Sequence, residues 1–178
     1  MSQPKLLYHA AYFRREGAGC SQTVKPSLSA SDLIGTVISV SVAKEAEEAV
    51  FEKPIGGKWV DFDARNQRDR ETITVTCNEL SELFWELTQA VSVTLSGGGA
   101  SYVPGSTITT KGWFRIVTTD DSAATINDAY TWCKVDITTS DFPQTGFVQA
   151  TFTIKKLYAH APGAEGTPLN SGTFSNIS

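Results

Sequence analysis

ETITVTC at residues 71–77, followed directly by NELSELFWELTQA at 78–90, is the stretch whose reading decides the fold. In the first part Ile73, Val75 and Cys77 alternate with Thr72, Thr74 and Thr76, the period of two expected of a half-buried strand. In the second part the spacing becomes helical. Leu80, Leu83, Phe84 and Leu87 form one apolar stripe with Trp85 at its margin. Asn78 is the predicted N-cap, because its side-chain oxygen accepts an otherwise orphaned N–H, and Glu79 and Glu82 suit the positive end of the helix. The spacing predicts one helix, at about 79–90, covering the outer side of a sheet.

The rest of the chain reads as strands. LIGTVISVSVA at 33–43 places Ile34, Ile38, Val40 and Val42 on one face, with Val37, Ser39 and Ser41 on the other. Residues 44–71 are densely charged, and AVFEK and KWVDF within them look like short strands around the turn Pro54-Ile55-Gly56-Gly57. Further strands are expected at 91–95, 106–119, 130–138 and 147–159, with Gly97-Gly98-Gly99 and residues 143–146 as turns. Residues 1–32 and 161–178, rich in Gly, Ser, Pro and Thr, read as extended terminal arms flanking one β domain at 33–160. Seven or eight strands with one helix predict a mainly β fold, a sandwich or barrel. The expected form is two packed antiparallel sheets, a β-sandwich or half-barrel with one flanking helix.

A chain of 178 residues supports one domain, and its 40% hydrophobic content is enough to build a core. The net charge of -4 and pI near 5.2 argue against a nucleic-acid clamp, which needs clustered cations to neutralise phosphates. The apolar run in MSQPKLLYHAAYFRREG is too short for a signal peptide, and no segment is long and apolar enough for a membrane span. Three scattered cysteines, Cys20, Cys77 and Cys133, suit a reducing compartment. Cys77 and Cys133 fall on the apolar phase of their strands, whereas Cys20 is expected to be exposed.

Catalytic inventory is sparse. His9 and His160 lie at opposite ends of the chain, outside any zinc-ligand spacing, and no G-x-S-x-G occurs. No catalytic residue, cofactor site or metal site is assigned. Asp61 and Asp63, placed on one strand face, are the pair that a carboxylate-based hydrolase would use. Trp59, Trp113, Trp132, Phe62, Tyr102 and Tyr130 could build a sugar-stacking platform. Trp59, Phe62, Asp63, Arg65, Arg68 and Arg70 lie in the charged segment and include the aromatic and arginine types favoured at protein interfaces.

Taken together, residues 71–77 and 78–87, the charged hairpin before them and the closing strand with Phe147, Ala150 and Phe152 resemble the tail tube proteins, or major tail proteins, of long-tailed bacteriophages. The resemblance is one of architecture over roughly residues 30–160. It implies a virion protein, not an enzyme, without cofactor, assembled in the host bacterial cytoplasm. Inner sheets from six subunits would close a hexameric ring, and stacked rings would form a hollow tube through which DNA passes without specific binding. The hairpin and arms would bridge neighbouring subunits, and the tape measure and other tail proteins would be partners. The threonines of 72–76 and 107–110 would line the lumen or join strands. An alternative from another class is a capsid-decorating or carbohydrate-binding β-sandwich.

Overall fold

The computed structural model of the chain describes residues 6–17, 19–55, 58–79, 81–89, 91–96, 99–103, 109–141 and 145–172. Ten strands and one helix follow in order: β1 (Leu7–Arg15), β2 (Leu33–Ile55), β3 (Lys58–Glu79), α1 (Glu82–Gln89), β4 (Val93–Ser96), β5 (Gly99–Tyr102), β6 (Lys111–Asp120), β7 (Thr125–Asp141), β8 (Gln149–Leu157), β9 (His160–Ala161) and β10 (Ala164–Pro168). A three-residue 3₁₀ turn, Ala30–Asp32, precedes β2.

Six strands close into one antiparallel barrel in the order β1-β2-β3-β8-β7-β6. This corrects the expectation of two packed sheets. Closure depends on β1, which the sequence places in an arm. β1 pairs with β6 from Leu7–Asp120 to Arg15–Gly112 and joins β2 through Ala10–Thr36, Ala11–Gly35 and Tyr12–Leu33. From Ala10, one way round leads through Val117 to Asp128, and the other through Thr36, Asn78 and Gln149 to Asp141. The same strand is met about a dozen residues apart, the stagger that strongly tilted strands need in order to close.

Inward rungs build the core. Val42, Ile73, Ile154 and Val135 lie side by side, as do Val40, Val75 and Phe152. The fully buried Phe13, Phe114 and Ile116 fill the opposite wall. Each large side chain so buried contributes about 2 kcal/mol. A bulge at Ile38, between the pairs Val37–Cys77 and Ser39–Thr76, shifts the phase of β2. Val37 therefore joins Val40 and Val42 against the core, while Ile38, expected inside, is 49% exposed.

The helix begins later than its sequence pattern suggests. Asn78 and Glu79 remain in β3, held by pairing to Thr36 and Gly35, and the Phe84 N–H donates to the Ser81 hydroxyl at 3.3 Å in place of an Asn78 cap. Ser81 also donates towards the carbonyls of Leu33 and Ile34, tying α1 to the start of β2. α1 does not cover the outer side of a sheet. Phe84 and Leu87 enter the barrel core, and the Phe84 ring meets Phe152 edge-on at 5.8 Å. Leu83 and Trp85 pack at the margin. Leu80 lies outside the described residues.

A second, smaller core sits on the outer wall of β6 and β7. Trp113, Tyr130 and Trp132, on outward positions, are buried with Cys20 and Ala159 beneath the segment after β1 and the segment after β8. The Trp113 indole donates to the Ser21 carbonyl at 2.8 Å, the Tyr130 hydroxyl to the Pro26 carbonyl, and Lys25 lies 4.3 Å from the Tyr130 ring centroid. The Asn170 amide bridges the Trp132 N–H and the Leu157 carbonyl. The described parts of the two predicted arms are thus packed against the barrel, and Cys20 is buried, its thiol directed at the Arg15 carbonyl 3.0 Å away.

Candidate functional site

The outer face of β2, β3, β8 and β7 is a wall of hydroxyls. One rung runs Ser39, Thr76, Thr151, Thr139, and the next runs Ser41, Thr74, Thr153, Asp136. This is the polar half of the period-two pattern, with Thr72, Thr74 and Thr76 as its centre. Thr76 and Thr151 share a hydrogen bond at 3.0 Å, and Thr138, the extra residue of a bulge in β7, bonds Thr153. Towards the Leu157 end of β8 the wall carries charge. Asp136 is bracketed by Lys134 at 2.8 Å and Lys155 at 3.1 Å, and its hydrogen bond from Lys134 holds the carboxyl below the usual range. Of the other predicted lumen threonines, Thr109 and Thr110 precede β6, and Thr107 lies outside the described residues.

Both lateral edges of this four-stranded wall are open among the described residues. Beyond Thr36, β2 has no strand on the side of β1, and from Asp136 to Asp141 β7 has β8 on one side and no described strand on the other. Bare N–H and C=O groups at such edges are templates for pairing with another chain. β2 and β7 run in opposite directions through the alternation β2-β3-β8-β7. Copies placed side by side, β7 against β2, would continue one antiparallel sheet.

Past the barrel, β2 and β3 continue as a two-stranded arm from Lys44–Glu71 to Ile55–Lys58. The sequence predicts short strands here; the pairing is a continuous ribbon. All six predicted interface residues stand on β3 in this arm: Trp59 opposite Pro54, Asp63 opposite Phe51, Arg65 opposite Ala49, Arg68 opposite Glu47 and Arg70 opposite Glu45, with Phe62 the extra residue of a bulge. Arg70 is exposed, and the side chains of the other five lie outside the described residues. At the foot of the arm Lys156 donates to Glu71 at 2.9 Å.

The alternative chemistries find little here. The register sets Asp61 opposite Glu52 and Asp63 opposite Phe51, with Phe62 as an extra residue between them, and the side chains of both aspartates lie outside the described residues. Trp113, Trp132 and Tyr130 of the imagined sugar platform are buried, and burial pushes the Tyr130 phenol up to about 12. His9 bonds Thr118 at 3.0 Å, and burial lowers its pKa. A cleft of about 410 Å³ beside α1 is lined by Arg14, Arg15, Asp32 and Glu86, but these pair with one another, Arg14 with Asp32 and Arg15 with Glu86 at 3.2 Å. Among the described residues no group of three or more His, Cys, Asp or Glu is placed to hold a metal ion.

In comparisons with known proteins, no family model matches the chain and no curated protein matches its sequence. The open edges are what sequence reasoning missed, since an edge is defined by the strand that is not beside it.

Proposed function

We propose that the chain is a structural subunit that joins copies of itself edge to edge into a closed ring, as the tail tube protein of a long-tailed bacteriophage would. The observation that carries this reading is the four-stranded wall, whose two edges, β2 on one side and β7 on the other, are open among the described residues. Two different edges on one chain make a head-to-tail contact, and a head-to-tail contact closes into a ring when its rotation divides a full turn. Six copies is the number the family resemblance implies.

The two sides of the barrel fit such a ring. One outer wall is sealed by the segments over Trp113 and Trp132, and the opposite wall is bare hydroxyl. With the bare wall inward, a lumen lined mainly by Thr and Ser offers DNA few cations to bind, and the net charge of -4 repels phosphate. DNA would slide through it. The arm would reach neighbouring copies, and tape measure and tail-initiation proteins would be the heterologous partners, met in the host cytoplasm before the virion is complete.

Negative-stain microscopy of concentrated protein tests the proposal. Rings with a central hole, stacking into tubes, are the expected result. Monomers that persist even with tail-initiation partners present would overturn it.

A further inference from the structure

We propose that the cleft between Lys25, Arg115 and Ser171, on the sealed outer wall of the barrel, binds a tetrahedral oxyanion, phosphate or sulfate, either free or as the head of a small ester. The cleft is lined by one copy alone and does not depend on ring formation.

Three parts of the chain meet there. The segment after β1 brings Lys25 and Ser27, β6 and β7 bring Arg115, Asp128 and Tyr130, and the segment after β10 brings Ser171, around a cleft of about 340 Å³. Each part is anchored. Ser171 exchanges backbone hydrogen bonds with Tyr130 at 2.7 and 2.8 Å, which sets its hydroxyl beside β7. The Tyr130 hydroxyl donates to the Pro26 carbonyl, next to Lys25. Arg115 is oriented by two parallel hydrogen bonds to Asp128, at 2.8 and 2.7 Å, and its guanidinium lies 5.9 Å from the Tyr12 ring centroid.

The cleft holds two cations and one carboxylate. Asp128 is taken by Arg115, whose hydrogen bonds keep its carboxyl below the usual range. Lys25 instead donates to the Ser171 hydroxyl at 2.9 Å and lies 4.3 Å from the Tyr130 ring centroid, and neither partner carries charge. Among the described residues no carboxylate is within ion-pair distance of it. Burial lowers its pKa, Asp128 offsets part of this, and Arg115 lowers it again. A desolvated cation beside a second cation is relieved by an anion.

The donors choose the anion. The Lys25 ammonium has N–H groups beyond the one given to Ser171, the Arg115 Nη1 is not used by Asp128, and Ser27 and Ser171 add hydroxyls. Donors from three segments suit the oxygens of a tetrahedral anion better than the planar pair of a carboxylate. Nucleic acid is a poor fit, because one excess positive charge in a chain of net charge -4 makes no track for a phosphate backbone.

Calorimetric titration of the native chain with inorganic phosphate, alongside melting in phosphate and in chloride at matched ionic strength, tests the site. Binding should saturate and raise the melting temperature, because a ligand held only by the folded chain stabilises it. Phosphate also stabilises folds by exclusion from their surface, but that effect neither saturates nor depends on Lys25. Lys25→Met keeps an unbranched side chain beside Tyr130 and removes the charge. With native circular dichroism, its affinity for phosphate should fall at least ~tenfold, whereas Lys25→Arg should keep most of it. Acetate should bind at least ~tenfold more weakly than phosphate. Glycerol phosphate, compared with inorganic phosphate, assigns the ester if it binds more tightly and the free anion if it does not. No saturable binding to the native chain, equal affinity in Lys25→Met, or acetate as tight as phosphate overturns the proposal. None of these results bears on the ring, which microscopy tests separately.

Discussion

Arg14 holds Asp32 through two parallel hydrogen bonds, Nε to Oδ1 at 2.8 Å and Nη2 to Oδ2 at 2.7 Å. Asp32 also accepts the Ser29 N–H at 2.8 Å, so one carboxylate fixes the turn that delivers the chain from the outer segment into β2. Burial pushes this carboxyl up, but the Arg14 fork and Ser29 outweigh it and hold its pKa below the ordinary value. A depressed carboxyl stabilises the fold above its unfolded pKa, near 4, and that stabilisation is lost as pH falls towards the folded value. Asp32→Asn should cost about 2 kcal/mol at pH 7. Its melting temperature should fall less than the native one between pH 5 and 3, with Asp128 and Asp136 supplying the remaining acid sensitivity.

Phe84→Ala should leave a cavity where α1 enters the barrel. Phe84 is fully buried against Phe152, and the loss should be about 4 kcal/mol in urea unfolding. Phe147→Ser, at a side chain 74% exposed, should stay within about 0.5 kcal/mol.

Gly35→Ala should weaken barrel closure. Gly35 sits between Ala11 and Glu79, and a Cβ there would lie 2.2 Å from the Asn78 carbonyl oxygen. Backbone on both sides cannot retreat cheaply, and the expected cost is about 3 kcal/mol by chemical denaturation.

The thiols should be silent in the native state. Burial pushes Cys77 up to about 12 and Cys133 well above its ordinary value, and all three cysteines are buried and outside any disulfide. At pH 8 a colourimetric thiol reagent should react with none of them until denaturant unfolds the barrel. Fast labelling without unfolding would contradict this packing.

Ile38→Lys tests the edge. Ile38 is the extra residue of the bulge on the open edge of β2, so a lysine there should leave the melting temperature nearly unchanged. Ring or tube formation should fall sharply, because a charge on an edge blocks strand addition.

The strand at 72–77 was legible because its neighbour β8, with Phe152 beside Val75, keeps the same two-residue phase throughout. The phase of β2 was not. A bulge is a backbone insertion, and nothing in ISVS marks Ile38 as the extra residue. The helix was recognised but begun too early: Asn78 is a good cap in isolation, yet pairing with Thr36 and Gln149 keeps it in the sheet. The sandwich expectation failed at β1, whose nine residues look like an arm until Thr118 and Phe114 are beside them. Trp113 and Trp132, on outward positions, gave no sign of which chain segment covers them. The charged segment was recognised as a hairpin, though its length and its two bulges were not.

The pairing of β1 with β6 sets a timetable for synthesis. Tyr8 waits for Thr119, and Arg15 for Gly112, and β3 waits for β8, so on the ribosome the barrel cannot close until about Leu157 has left the exit tunnel. The β2–β3 ribbon needs only residues close to one another in the chain and can form first. A nascent chain therefore presents its β2–β3 ribbon before the barrel that carries it is complete.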